Sequence, residues 1–194
     1  MRWGLAMLQA DSVVKAWRRW TAPLRHSTPR SRLEWLCMTL AISALVAGGE
    51  HWFYENYRIG WDRQVLKCLD SSFFLVSLKD TEIKRDKLYA FTTKAAEPVI
   101  HADTVMAKYV RGVPGDVVEV RKDDETVRIN GKIVATGLPH LRKIPPEQAE
   151  RFFGKRVLQE DEYWVMGTKF LSFDSRYWGA IHASDIKARA YELF

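Results

Sequence analysis

Lys108 is the side chain whose setting in this sequence most clearly allows chemistry. It stands inside the apolar segment Thr104–Val110, shortly before the turn Gly112-Val-Pro-Gly-Asp116. Burial in such a segment disfavours the charged form of a lysine, and a neutral lysine can act as a general base. A structural lysine that lies along apolar surface with its amine in water fits the same pattern. This segment alone leaves both interpretations of Lys108 open.

Other kinds of chemistry lack their usual motifs. The sequence contains no HExxH, no CxxC pair, no glycine-rich phosphate loop and no GxSxG elbow, so we expect no metal and no cofactor. Five histidines show no ligand spacing and are interpreted as surface or packing residues: His26, His51, His101, His140 and His182. The net charge is +6. No basic stripe with interleaved aromatic residues follows the chain, so we expect no nucleic-acid partner.

The elements that must position Lys108 are predicted to be strands. From residue 72 onward, short β-branched and aromatic runs alternate with polar turns, a pattern typical of β-strands. The predicted strands are 72–78, 87–92, 104–110, 116–121, 126–129, 132–135, 162–166 and 186–193. Asn130-Gly131 suits a tight hairpin, and a short helix is predicted over Pro145–Phe153. This part of the chain is therefore expected to be a mainly β, antiparallel domain with a small helical insertion.

An apolar run precedes this domain. Leu33–Gly49 carries one charge, Glu34, and a helix of that length would reach about 25 Å, the lower limit for a membrane span. Trp35 and the aromatic residues 52–54 suit the two membrane interfaces. Seven basic residues but only one acidic residue, Asp11, stand before the run. The positive-inside rule then predicts a cytoplasmic tail at 1–32, a transmembrane helix at 33–54 and a translocated domain at 55–194.

Four segments resemble, in order, the sequence boxes of signal peptidase I enzymes. Lys108–Asp116 resembles the box KRxxGLPGD, Ile129-Asn-Gly131 the short NG hairpin, Tyr163–Gly167 the segment YFVMGD, and Ser172–Gly179 the box S-x-DSRYWG. The resemblance covers roughly residues 68–190. It implies a signal-peptidase-like β domain anchored in a bacterial inner membrane by a single span, with the catalytic domain in the periplasm.

The same resemblance implies roles for individual residues. Lys108 would be the general base of a Ser–Lys-type dyad, and Ser172 would orient the lysine. Asp174 and Arg176 would form a supporting salt bridge. Where leader peptidases have GDNRD, this chain has Gly167-Thr-Lys-Phe-Leu171, which leaves the structure of that loop open.

The short spacing between the boxes is similar to that of TraF-type peptidases of conjugative transfer systems. Those enzymes mature pilin subunits of type IV secretion machines, and some join the cut end to make a cyclic pilin. The resemblance implies an enzyme whose partners are a pilin precursor or another exported peptide, inner-membrane lipid and other conjugative transfer proteins. A general preprotein signal peptidase and an inactive periplasmic pilus-assembly factor of the same fold are the alternatives.

The resemblance leaves three interpretations of the nucleophile open. TraF-type enzymes carry the serine in a pattern like S-x-P-x-G-x-Y before a strand, and the matching position here is Cys68, with Asp70 in place of the proline. A thiol deprotonates readily, so Cys68 could serve as nucleophile. Ser71 could serve after a local slip in register, with Ser72 next to it. In the third interpretation the dyad is inactive and the protein is a scaffold.

Overall fold

The computed structural model describes residues 29–62, 67–144 and 146–193. Residues 1–28 of the predicted basic tail lie outside the described part. Helix α1, Pro29–Asn56, contains the predicted membrane run. Within it, Ser31–Asn56 is long and apolar enough to cross a membrane, and its apolar side chains are exposed. The chain divides into two compact units after Trp52, so the β domain is described by itself.

The β domain is built from antiparallel strands in two sheets. In chain order the strands are β1 Tyr57–Trp61, β2 Phe73–Ser77, β3 Leu88–Phe91, β4 Met106–Gly112, β5 Val117–Val120, β6 Thr126–Ile129, β7 Lys132–Thr136, β8 Gly154–Val157, β9 Glu162–Met166, β10 Ile181–His182 and β11 Ile186–Glu192. Seven of them form a sheet in the order β1-β2-β11-β3-β4-β9-β10, and four form a smaller sheet in the order β7-β6-β5-β8. Two short α-helices, α2 Pro146–Glu150 and α3 Ser175–Trp178, and two 3-10 helices, Leu141–Lys143 and Ala183–Asp185, complete the described part. The prediction of a mainly β, antiparallel fold with a small helix and an N-terminal apolar helix is confirmed.

Strand β4 lies inside the larger sheet, between β3 and β9. Its buried positions alternate, so Met106, Lys108, Val110 and Gly112 share the buried face. Side chains of a strand point alternately to its two faces, and the register of β4 therefore turns Lys108 inward. Val110 packs in a core with Phe91, Val165 and other apolar side chains. The segment left two interpretations of Lys108 open, and in the structure its side chain is buried.

Among the strands and α-helices, sequence reasoning missed four and overextended one. Strands β1, β8 and β10 and helix α3 were not predicted, and helix α2 ends at Glu150 instead of Phe153. Every residue of β8 is exposed, so this strand offers no apolar alternation to recognise. The chain after Glu150 instead leads into β8, which pairs with β5 at the edge of the smaller sheet.

A network around Asp116 fastens the turn that follows β4. The Asp116 carboxylate accepts two hydrogen bonds from Arg85, at 2.6 and 2.8 Å, one from the Val113 N–H and one from the Asn130 side chain. Asn130 and Gly131 have positive φ in the β6–β7 hairpin, as that turn requires, so the predicted hairpin is confirmed. Asn130 also accepts from the Val117 N–H. The proline–glycine turn and the Asn-Gly hairpin are therefore joined through one buried carboxylate.

Replacing this carboxylate is expected to destabilise the domain. Burial opposes the charge of Asp116, but the hydrogen bonds from Arg85, Val113 and Asn130 outweigh it and hold the pKa of this carboxyl below its ordinary value of 3.8. We expect Asp116→Asn to lower the free energy of unfolding by about 1–3 kcal/mol near neutral pH, because hydrogen bonds to a charged group are lost. A group with a lowered pKa stabilises the fold above its ordinary pKa and stops doing so as the pH falls through the lowered value. The difference between wild type and variant should therefore shrink below about pH 4.

Denaturant unfolding of the full chain in detergent, followed by circular dichroism from pH 7 to pH 3, measures this effect. Asp103→Asn is the matched control, since the Asp103 side chain is 95% exposed and its replacement should change stability by less than about 0.5 kcal/mol. An Asp116→Asn protein as stable as the control at pH 7 would contradict the assigned role of the network.

Candidate active site

Lys108 and Ser172 meet in the interior of the β domain. Lys108 is 2% exposed and Ser172 is fully buried. Lys108 Nζ donates a hydrogen bond to Ser172 Oγ at 2.9 Å. The two side chains come from strand β4 and from the segment between β9 and α3. The hydroxyl thus fixes the direction of the lysine amine.

Asp174 and Arg176 hold the segment that carries Ser172. Arg176 donates to both oxygens of Asp174, at 2.7 and 2.9 Å, and both side chains are buried. Arg176 also donates to the Ser172 carbonyl at 2.9 Å, while Asp174 accepts from the Gly167 N–H at 3.0 Å. Burial opposes the charge of Arg176, but the hydrogen bonds and charge of Asp174 prevail and raise the pKa of the guanidinium. This bidentate pair is a fixed support beneath Ser172.

The Cys68 loop is docked onto the turn after β9. The Cys68 carbonyl accepts hydrogen bonds from the N–H groups of Thr168 and Lys169, at 3.0 and 3.2 Å. The Lys169 ammonium pairs with the carboxylate of Asp70. Hydrogen bonds from Lys169 and then Thr168 lower the pKa of Asp70. Asp70 stands in place of the proline of the TraF-type pattern, and Lys169 lies where leader peptidases have GDNRD. These two departures therefore contact each other.

Gly167 leaves the room that lets the Cys68 loop approach Ser172. A Cβ atom at Gly167 would lie 2.3 Å from Ser172 Oγ and 2.5 Å from the Cys68 carbonyl oxygen. Both distances are far below ordinary van der Waals contact, so the two segments meet at this glycine. The structure thereby brings Cys68, Ser172 and Lys108 into one neighbourhood.

Gly167→Ala is expected to push the Cys68 loop away from Ser172. A displacement of about 1 Å near reacting groups can cost up to about 100-fold in rate, so we expect peptide cleavage to fall at least tenfold while the β domain stays folded. The control is Gly49→Ala, because a Cβ at Gly49 in helix α1 meets nothing within 4 Å. Steady-state cleavage rates of the Gly167→Ala protein and the control measure this effect. Equal rates would show that the close approach of the two segments has no role in cleavage.

A cavity of about 610 Å³ opens beside Lys108. Cys68, Lys108 and His140 line it, together with Asp62 and mainly apolar side chains such as Phe74, Val76, Met106 and Phe173. Neither Ser71 nor Ser72 is among the described residues that line it, and Ser72 Oγ accepts a hydrogen bond from Lys67. No hydrogen bond joins Cys68 to Lys108 in the described part of the chain. Cys68 is half-buried with a free thiol.

Sequence reasoning missed three residues of this site. His140 was interpreted as a surface or packing residue; it is buried and packs against Phe173 and Tyr177, and it also lines the cavity, which was not predicted. Asp70 and Lys169 were noted only as departures from the family pattern. Within the described ranges, no group of three or more His, Cys, Asp or Glu side chains could hold a metal ion.

Comparison with models of protein families identifies the family of this chain. The family model described as "Signal peptidase, peptidase S26" matches residues 32–194. A probable signal peptidase I-2 from Synechocystis is 29% identical over 118 residues, which are 60% of this chain and 50% of the relative; the match thus spans about half the length of that relative. A crystal structure of a signal peptidase I from Enterococcus faecalis is 24% identical with a TM-score of 0.35, and the match covers 56% of this chain and 96% of that one. Because the family model covers most of the sequence, the chain belongs to the signal peptidase family, peptidase S26.

Proposed function

We propose that this protein is a membrane-anchored, signal-peptidase-like endopeptidase that cleaves a pilin precursor of a conjugative type IV secretion system. The observation that carries the proposal is the buried Lys108–Ser172 hydrogen bond beside a cavity that Cys68 also lines. Membership of the signal peptidase family supports an exported peptide as substrate. The pilin assignment rests on the short spacing between the boxes, which resembles that of TraF-type enzymes.

The proposed mechanism uses Lys108 as general base and Cys68 as nucleophile. Lys108 Nζ takes the proton of the Cys68 thiol while Sγ attacks the scissile carbonyl carbon of the substrate. The carbonyl oxygen becomes an oxyanion, for which the backbone N–H of the nucleophile is the proposed donor. Lys108 then gives its proton to the leaving amine as the C–N bond breaks, which leaves a thioester. Water hydrolyses this acyl-enzyme, or an amine of the substrate attacks it and closes a ring.

Three other side chains support this chemistry in the proposal. Ser172 orients the lysine by accepting its hydrogen bond, and the Asp174–Arg176 pair holds Ser172 in place. Ser71 is the alternative nucleophile. It lies on the same short segment as Cys68 but does not line the cavity, so the geometry favours Cys68.

A general preprotein signal peptidase is the second candidate function. The Synechocystis relative, a probable signal peptidase I-2, favours it. The two candidates share the dyad and differ in substrate. Intact-mass analysis of pilin precursors and general secretory preproteins, each coexpressed with the enzyme, separates them.

For the first candidate, the pilin should lose its leader, and a further loss of one water would show ring closure. Coexpression with a Lys108→Ala enzyme is the matched control and should leave the precursor intact. Cleavage of preproteins but not of pilin would favour the general peptidase. An unchanged mass for every substrate would contradict both peptidase functions and favour the inactive pilus-assembly factor.

The membrane topology follows from the N-terminal part of the chain in this proposal. We propose a cytoplasmic tail, an inner-membrane span at 33–54 and a periplasmic catalytic domain at 55–194. The basic residues before the apolar run support this orientation, and the length of helix α1 supports the span. A reporter that is active only in the periplasm should work when fused after Phe194, and extraction of the protein should need detergent. Activity solely of a cytoplasmic reporter at the same position would contradict the orientation.

A further inference from the structure

His140 is a buried titratable side chain that the proposed mechanism does not use. It is 8% exposed and precedes the 3-10 turn Leu141–Lys143. It lines the cavity that Lys108 and Cys68 also line. Its ring meets Phe173 and Tyr177 edge-on, with centroids 5.8 and 5.4 Å apart. A side chain so placed can act on the site directly or through the chain it contacts.

The contact that defines its role is a hydrogen bond to the backbone beside Ser172. His140 Nε2 lies 2.7 Å from the Leu171 carbonyl oxygen. A carbonyl oxygen can only accept, so Nε2 must carry the proton and donate. The peptide that joins Leu171 to Ser172 is then held at both of its polar groups, because the Ser172 N–H donates to the Lys169 carbonyl at 3.0 Å.

The next peptide is held as well. The Ser172 carbonyl accepts from Arg176 at 2.9 Å, and the ring of Phe173 stacks on that of Tyr177. Arg176 therefore fixes the peptide after Ser172, and His140 fixes the peptide before it. Both hydrogen bonds are needed to define where the Ser172 hydroxyl points, because the direction of a side chain depends on the backbone on either side of it.

We infer that His140 is a positioning residue for the dyad: its Nε2–H holds the Leu171–Ser172 peptide so that Ser172 Oγ meets Lys108 Nζ. This inference rests on the proposed function. It assigns His140 no contact with substrate, and it predicts that the effect of His140 on catalysis passes through Ser172. A histidine that only filled space would act through packing and would be replaced well by another ring.

The test compares variants of the full chain in detergent, with the precursor as substrate. His140→Phe keeps the ring and loses the donor, whereas His140→Gln places an amide N–H near the position of Nε2. We expect His140→Phe to lower kcat about tenfold with KM changed less than about twofold, and His140→Gln to recover most of that loss. In a Ser172→Ala background, His140→Phe should cost nothing further, because no hydroxyl remains to be placed. A kcat for His140→Phe within twofold of wild type, or the same loss in both backgrounds, would overturn the inference.

A second measurement does not depend on cleavage. Hydrogen exchange at the Ser172 amide should be faster in His140→Phe than in wild type, and close to wild type in His140→Gln. If His140→Phe does not fold, His140→Met takes its place. Unchanged exchange at Ser172 overturns the role of His140 even for an enzyme that cuts no pilin. A wild type without cleavage but with the expected exchange pattern counts against the proposed function alone.

Discussion

Lys108→Ala and Lys108→Arg should both abolish precursor processing while the protein stays folded. Alanine removes the base and the hydrogen bond to Ser172. Arginine keeps the positive charge, but it does not lose its proton at working pH and cannot accept one from a nucleophile. General-base catalysis contributes about 100- to 10,000-fold, so we expect losses of that size in both variants. Cleavage rates of the purified full chain, with thermal unfolding as the check on folding, measure them.

Lys187 offers the matched control. It lies exposed on β11 of the same sheet, so Lys187→Ala and Lys187→Arg should cleave at the wild-type rate. Retained cleavage in Lys108→Arg would exclude a general-base role for this lysine. If the Lys108→Ala protein does not fold, the Lys108→Arg protein alone tests the general-base role, because arginine keeps a long side chain at the position.

The sequence predicted the strands that contribute most to the core, such as β3, β4 and β9. Thr126–Ile129 and Lys132–Thr136 were recognisable because Asn130-Gly131 stands between two β-rich runs. Strand β8 was missed because it is held by backbone pairing with β5 and buries no side chain. Strand β1 follows helix α1 directly, so no turn residue marks where the helix ends. Hydrophobic patterning therefore identifies strands that build the core. An exposed edge strand is recognised from sequence when a turn motif stands beside it, as Asn130-Gly131 does beside β7.

The candidate site likewise contains residues that a single segment of sequence reveals and residues that it does not. Lys108 stood out because an apolar strand around a charged residue is visible in a single segment. The Asp70–Lys169 pair and the His140–Leu171 contact join residues 99 and 31 positions apart. Such pairs depend on how loops from different strands dock, which the local sequence does not encode. Their position next to the segment that carries Ser172 is visible only in the folded chain.

Cys68 is the proposed nucleophile, and its replacement should therefore have an effect as large as that of Lys108. The Cys68 loop meets Ser172 at Gly167, and Cys68 lines the cavity whereas Ser71 and Ser72 do not. Iodoacetamide should inactivate the purified enzyme, with the label on Cys68. Cys68→Ala should remove processing. Cys68→Ser should retain a small fraction of it, because a hydroxyl holds its proton more tightly than a thiol and depends more on the lysine.

The controls separate the thiol from its neighbours. Cys37 lies in helix α1, so Cys37→Ala should leave both cleavage and inactivation by iodoacetamide unchanged. Ser71→Ala and Ser72→Ala should cleave at nearly the wild-type rate. A Cys68→Ala protein that still cleaves would rule out the thiol and make Ser71 the nucleophile to test. Normal pilin maturation in all three variants, Cys68→Ala, Ser71→Ala and Ser72→Ala, would mean that this chain is a scaffold and that another peptidase cuts the precursor.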